Sequence, residues 1–207
     1  MKYDSVIFDL DGTLWDACHA VASGWNFALH ELKIPRKVNA FEIAAVCGKP
    51  QDECVRIVLP EIGPEIFEAA FAVINREEEK SVRKIGGALF PGVAEGLEDL
   101  KKQFPLFVVS NCADWYFDGF LNKYSYHNTF RDFECHGRTG KPKGENLKDL
   151  IVRNGLKKPV YIGDTTGDQA AAREAGVPFL FAAYGFGKIE NETKYPNFSS
   201  IVHAILG

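Results

Sequence analysis

Tyr3-Asp4-Ser5-Val6-Ile7-Phe8-Asp9-Leu10-Asp11-Gly12-Thr13 is a short apolar run that ends in two carboxylates and a glycine. Val6, Ile7 and Phe8 follow one another without polar alternation, the pattern of a strand buried on both faces of a parallel sheet. In an open doubly wound sheet, ligands bind outside the carboxyl ends of the strands. Asp9 and Asp11 would stand at that edge and repel one another unless a cation or a proton lies between them. Gly12 lets the chain turn sharply and approach a ligand closely. Asp-Gly is also a common turn, so this stretch alone leaves site and turn both open.

Working outward, residues 106–109, 160–162 and 179–182 are three more apolar runs of the same kind, and 132–136 is a weaker one. Helix-like segments separate them. Residues 93–102 open after Pro91-Gly92 and close with lysines, as a helix C-terminus prefers. Residues 145–154 are followed by Gly155, a C-cap signal. Residues 167–175 are rich in Ala and end at Gly176, with Pro178 just beyond. This alternation predicts an α/β fold with a doubly wound, Rossmann-like parallel sheet.

Residues 15–89 have a different character. VASGWNFALHEL, AFEIAAVCG, DECVRIVL and EIFEAAFAVINREEEK are amphipathic helix candidates, and no convincing strand lies among them. They predict an all-helical domain over 16–87, inserted into an α/β core made of 1–15 and 88–207. The linkers would lie near 15–20 and 83–88, with Gly86-Gly87 suited to a hinge. Glu77-Glu78-Glu79-Lys80 reads as a solvated helix end. Trp15, Trp25, Phe27 and Phe41 are either core or lining of the cleft.

The 207 residues carry a net charge of -4, with 46% apolar and 25% charged residues, an ordinary globular balance without the basic footprint of a nucleic-acid binder. No run of about 18 apolar residues exists to span a membrane, and no signal peptide is visible. The five cysteines are odd in number and lack CxxC spacing, which argues against a disulfide framework or a zinc site. Reduced thiols in a cytoplasmic protein are the expectation.

Three further constellations fall at ends of the apolar runs or at helix starts. In Val108-Val109-Ser110-Asn111 the hydroxyl is placed to bind an oxyanion, or to cap a helix starting near Ala113. In Lys141-Pro142-Lys143-Gly144-Glu145-Asn146-Leu147 a lysine just before a helix can neutralise phosphate oxygens, or simply be solvated. In Gly163-Asp164-Thr165-Thr166-Gly167-Asp168 a further strand end delivers two more carboxylates, hard ligands that suit Mg²⁺, unless they only cap the next helix.

In this order the four motifs resemble those of the haloacid dehalogenase superfamily, over nearly the whole chain from Asp9 to Asp168. The helical insertion resembles the C1 cap of its phosphoglycolate phosphatase and β-phosphoglucomutase branches. The resemblance implies a magnesium-dependent phosphatase of a small phosphorylated metabolite, with no nucleic-acid or membrane partner. Asp9 would be the nucleophile that forms an aspartyl-phosphate, and Asp11 the general acid and then base. Asp9, the main-chain carbonyl of Asp11 and Asp164 would hold Mg²⁺, with Asp168 orienting the lysine or a metal-bound water. Ser110 would bind the transferred phosphoryl group, with Asn111 beside it, and Thr13 would steady Asp11. Lys143 resembles the Lys-Gly-x-x-Leu form of the family's lysine and Lys141 the Lys-Pro form. In the cap, Gly48 and Lys49 of Cys47-Gly48-Lys49-Pro50 are candidate substrate contacts.

Asp11 speaks against a dehalogenase, which lacks an acid two residues after the nucleophile. A phosphosugar mutase, for which His19 is the candidate histidine, and a non-catalytic phosphate-binding protein are the alternatives. A receiver domain would not need so long a helical insertion.

Overall fold

The computed structural model describes residues 2–207. In chain order the elements are β1 (Ser5–Phe8), β2 (Trp15–Asp16), α1 (Cys18–Glu31), α2 (Ala40–Ala44), α3 (Gln51–Val58), α4 (Phe67–Ile85), β3 (Ala88–Leu89), α5 (Val93–Lys101), β4 (Leu106–Ser110), α6 (Asp114–Tyr124), β5 (Asp132–Cys135), α7 (His136–Thr139), α8 (Lys143–Asn154), β6 (Pro159–Gly163), α9 (Thr166–Ala175), β7 (Phe179–Ala182), β8 (Lys194–Tyr195) and α10 (Phe198–Leu206).

Six strands form one sheet in the order β5-β4-β1-β6-β7-β8, and every neighbouring pair is parallel. The chain moves from β1 to one side for β4 and β5, then returns to the other side for β6, β7 and β8. The strand order therefore reverses beside β1, which is where such sheets bind ligands. Phe8 lies opposite both Val108 and Ile162. One residue further on, Asp9 is level with Val109 and Gly163, and thus beside Ser110 and Asp164.

The unbroken apolar runs follow from burial on both faces. Val6, Phe8, Val108 and Ile162 belong to one core cluster with α5 and α10. Ile7, Phe107, Val109 and Tyr161 pack on the other face against Leu147 and Leu150 of α8 and Ala172 of α9. Phe8 is wholly buried and stacks on Phe198 at 5.9 Å. Truncating such a side chain to alanine costs about 3–5 kcal/mol.

Helices α1 to α4 form the insertion between β1 and β4. Helices α1 and α4 pack closely because Gly24 has no side chain. A Cβ there would lie 2.6 Å from the Glu78 Cα. The Ser81 hydroxyl donates to the Ala20 carbonyl at 2.7 Å across the same seam. Among the described residues no helix is long and apolar enough to cross a membrane.

Several details differ from the sequence reading. Half of the expected linker residues are helix, because α1 begins at Cys18 and α4 runs through Ile85. What remains is an antiparallel pair, β2 with β3, in which Trp15 faces Leu89. Helix α8 begins at Lys143 rather than Glu145, directly after the extended Pro142. Strand β8 and helix α10 were not expected. Phe27 and Phe41 are exposed, at 64% and 88%, and are neither core nor cleft. The Glu77-Glu78-Glu79-Lys80 run is not a helix end. It lies inside α4, where Glu78 falls on the buried stripe of Phe67, Ala70, Ile74 and Val82.

Candidate active site

Asp9 follows β1 directly and is held there by its own N–H, which donates to the Ile162 carbonyl at 2.8 Å. Its carboxylate is 1% exposed. Oδ1 accepts from Lys143 Nζ at 2.9 Å, and Oδ2 is buried without a hydrogen-bond partner. Lys143 also donates to Asp168 Oδ1 at 2.7 Å. Asp168 is saturated. Tyr161 donates to the same Oδ1, and the Thr165 N–H and hydroxyl donate to Oδ2. Thr165 is the N-cap of α9 and Asp168 its third residue, so a capping box fixes the aspartate that fixes the lysine.

Asp164 follows β6. Its Oδ2 accepts from the N–H groups of Phe186 and Gly187, at 2.7 and 3.2 Å, while its buried Oδ1 has no partner. Gly12, Gly185 and Gly187 crowd this residue. A Cβ on Gly12 would lie 2.2 Å from Asp164 Oδ2, one on Gly185 2.4 Å from Asp164 Cβ, and one on Gly187 2.1 Å from its carbonyl oxygen. Gly12 also adopts a φ of 80°, which disfavours a side chain on its own account.

Asp9, Asp164 and Asp168 each bring a carboxylate oxygen within 4.8 Å of the others. Lys143 supplies one positive charge against three negative ones, all buried. Such an excess is relieved by protons or by a cation. Burial, then the neighbouring Asp168, pushes Asp9 up to about 6. Burial, then Asp168 and Asp9, raises Asp164 well above the ordinary carboxylate range. Burial opposes ionisation of Asp168 too, but the Lys143 ion pair outweighs it and its pKa falls. Burial likewise opposes the charge on Lys143, and its two aspartates overcome it and raise the pKa. Asp9 Oδ2 and Asp164 Oδ1, both unpartnered, are hard oxygen ligands on two residues of this cluster. They fit a divalent cation such as Mg²⁺.

The Asp11 carboxylate is not part of that cluster. Its Oδ1 accepts from the Tyr116 hydroxyl at 2.6 Å. Burial pushes it up to about 7, with Asp9 and Glu78 adding to the rise and the Tyr116 hydrogen bond opposing it. Thr13 does not steady it, for the Thr13 hydroxyl is buried without a hydrogen-bond partner. Ser110 is buried at the tip of β4, and its Oγ accepts from the Cys112 N–H at 3.3 Å.

Asp9, Asp11, Ser110 and Asn111 open onto a cavity of about 70 Å³ roofed by the helical insertion, whose lining includes Trp25, Cys47 and Glu78. The Asn111 amide donates to the Gly48 carbonyl at 2.8 Å, joining β4 to the insertion's loop. Gly48 meets Thr165 as well, where a Cβ would lie 3.0 Å from Thr165 Cγ2. Lys49 is at the edge of the cavity, but its ammonium pairs with Glu53 at 2.6 Å. Lys141 is not in the site. Its ammonium is exposed and pairs with Asp149. His19 is exposed and outside the cavity lining.

The sequence reading missed Tyr116, Tyr161, Glu78 and the segment Tyr184-Gly185-Phe186-Gly187. Only Glu78 carried a signal, its place on the apolar stripe of α4.

The model of the family described as haloacid dehalogenase-like hydrolase matches residues 6–182. The chain belongs to the haloacid dehalogenase-like hydrolase family. Among curated relatives, a phosphoglycolate phosphatase of Rhodobacter capsulatus is 27% identical, over 98% of this chain and 97% of that protein. A 5'-nucleotidase of Pseudomonas aeruginosa is also 27% identical, over 90% and 86%. A haloacid dehalogenase-like hydrolase of Streptococcus pneumoniae has the same fold, with a TM-score of 0.84 at 20% identity over 99% of each chain. Both the sheet with its helical insertion and the family resemblance of the sequence motifs stand on these matches.

Proposed function

We propose that this protein is a magnesium-dependent phosphatase that hydrolyses a small phosphorylated metabolite through a phosphoryl group carried on Asp9. The observation that carries this reading is the state of Asp9. One of its oxygens is paired with Lys143, and the other is buried with no partner beside Asp164 and Asp168.

The Asp9 carboxylate attacks phosphorus, and the ester bond to the leaving alcohol breaks. Asp11, pushed up to about 7, is protonated often enough near neutral pH to give its proton to that alcohol. Water then attacks the phosphoryl group, Asp11 takes up a proton, and inorganic phosphate leaves Asp9. Lys143 and the Ser110 hydroxyl stabilise the phosphoryl oxygens, the former as a fixed charge. Asp168 has no free oxygen and acts as a positioning residue for Lys143. Asp9, Asp164 and the main-chain carbonyl of Asp11 would hold Mg²⁺. When bound, the ion would offset the negative charge of nucleophile and phosphate.

Residues 16–87 act as the cap domain over a core of 1–15 and 88–207, closing the cavity against water. Lys49, at the cavity edge, remains a candidate contact for substrate as it enters. The names of the relatives make phosphoglycolate the first substrate to try. The mutase reading draws no support from His19, which lies outside the cavity.

The test is a turnover screen over phosphorylated metabolites with Mg²⁺, with Asp9→Asn as control. The variant should lose at least about 10⁴-fold in kcat. Turnover that survives the substitution would remove Asp9 from its role.

A further inference from the structure

Glu78 is a buried carboxylate that the mechanism above does not use. It projects from the middle of α4 into the same cavity as Asp9 and Asp11, and is 5% exposed. Its Oε2 accepts from Trp25 Nε1 and from Gln51 Nε2, both at 2.6 Å. Its Oε1 has no hydrogen-bond partner among the described residues, and no lysine, arginine or histidine pairs with it. The only cationic side chain in the cavity lining is Lys49, whose ammonium is turned to Glu53. An unpaired buried carboxylate costs several kcal/mol. The fold nonetheless holds this one rigidly, by two N–H donors and by the close seam at Gly24.

The cavity lining combines two chemistries: Asp9, Asp11 and Ser110 belong to the proposed phosphoryl site, and Trp25 and Glu78 come from the helical roof above it. The cavity is small, about 70 Å³, which favours short attached groups over bulky ones. Burial pushes Glu78 up to about 7, so above that pH a carboxylate would face its ionised form with no cation between them, and like charges in a water-poor site repel strongly. An ammonium would complete the missing pair.

Resting on the phosphatase reading, we propose that Glu78 is the specificity-determining residue of this cavity and selects phosphomonoesters of short alcohols bearing an ammonium group, against those bearing a carboxylate. Phosphoglycolate, named for several relatives, is then a poor substrate here.

Three two-carbon phosphomonoesters that differ only at the far end test this: 2-aminoethyl phosphate, 2-hydroxyethyl phosphate and phosphoglycolate. They are compared as substrates of the unmodified chain with Mg²⁺. Acetyl phosphate, whose activated leaving group needs no contact with Glu78, reports the phosphatase reading separately. The expected order of kcat/KM is aminoethyl over hydroxyethyl over phosphoglycolate, with at least about a tenfold step between the first two, as one charge-assisted hydrogen bond provides. Glu78→Gln, shown by circular dichroism to be folded, should bring the aminoethyl-to-hydroxyethyl ratio close to one. Hydrolysis of acetyl phosphate without preference for the aminoethyl ester, or with phosphoglycolate preferred, overturns the role of Glu78 alone. A ratio unchanged in folded Glu78→Gln does the same. If acetyl phosphate is not hydrolysed either, the phosphatase reading falls and the inference with it. Should the variant not fold, the order among the three esters in the unmodified protein decides the matter.

Discussion

The Tyr116 hydroxyl donates to Asp11 Oδ1 at 2.6 Å, joining the first turn of α6 to the loop after β1 across 105 residues of chain. A hydrogen bond to an ionised carboxylate favours its charged form. Tyr116 therefore restrains the rise that burial imposes on Asp11. Tyr116→Phe removes the restraint, and the carboxyl of Asp11 titrates at higher pH. The fall in kcat/KM that follows loss of the Asp11 proton should then move to higher pH. A pH–rate profile of the variant beside the parent checks the direction. A shift to lower pH would contradict the acid role of Asp11.

Lys143 and Lys141 stand two residues apart with opposite fates. Lys143→Ala leaves Asp9 and Asp168 buried without their cation, a change that costs about 3–5 kcal/mol where a buried pair is broken. Activity should be lost as well. Lys141→Ala breaks only an exposed pair with Asp149 and should cost less than about 1 kcal/mol. Urea unfolding and steady-state kinetics on the two variants separate them.

Chelation provides a third test. Divalent metal should relieve the repulsion among Asp9, Asp164 and Asp168, so EDTA should abolish turnover and lower Tm, and added Mg²⁺ should restore both. Mg²⁺ present at about 100 times its Kd would stabilise the fold by about 2.7 kcal/mol. Asp164→Asn should blunt the Tm response to Mg²⁺. A response undiminished in that variant would place the ion elsewhere.

The stability of the fold should carry a signature of Glu78. Burial pushes its carboxyl from 4.5 to about 7, with the Trp25 and Gln51 hydrogen bonds opposing the rise. The folded state thus retains a proton that the unfolded state has lost, and stability falls as pH rises from about 4.5 to about 7. Glu78→Gln has no proton to lose. Its stability relative to the parent should climb over that window by about 3 kcal/mol and level off above it. Urea unfolding at pH 4.5, 6 and 7.5 measures the difference, and a difference flat with pH would show Glu78 solvated.

Much of this molecule could be read from local pattern. Val6, Ile7 and Phe8 announce a doubly covered strand because each successive residue meets a different helix layer. Asp9 and Asp164 announce a strand-end site because carboxylates rarely close such runs. Lys143 and Lys141 were harder to tell apart, since both precede the same helix. Only the start of α8 at Lys143 turns one ammonium inward and leaves the other outside. Glu78 carries conflicting signals: its acidic neighbours suggest solvent, while its spacing from Ile74 and Val82 places it inside. Tyr116 and Phe186 had no local signal at all. Their contacts with Asp11 and Asp164 exist only once distant strands have been laid side by side.

The three glycines packed around Asp164 have a further consequence. On the side of Gly12, Gly185 and Gly187 the wall of that pocket is peptide backbone, where a side chain would collide with Asp164. The roof over Asp9 is, by contrast, built of side chains such as Trp25 and Glu78. A change of roof side chain would thus alter the cavity without touching the backbone that seats Asp164.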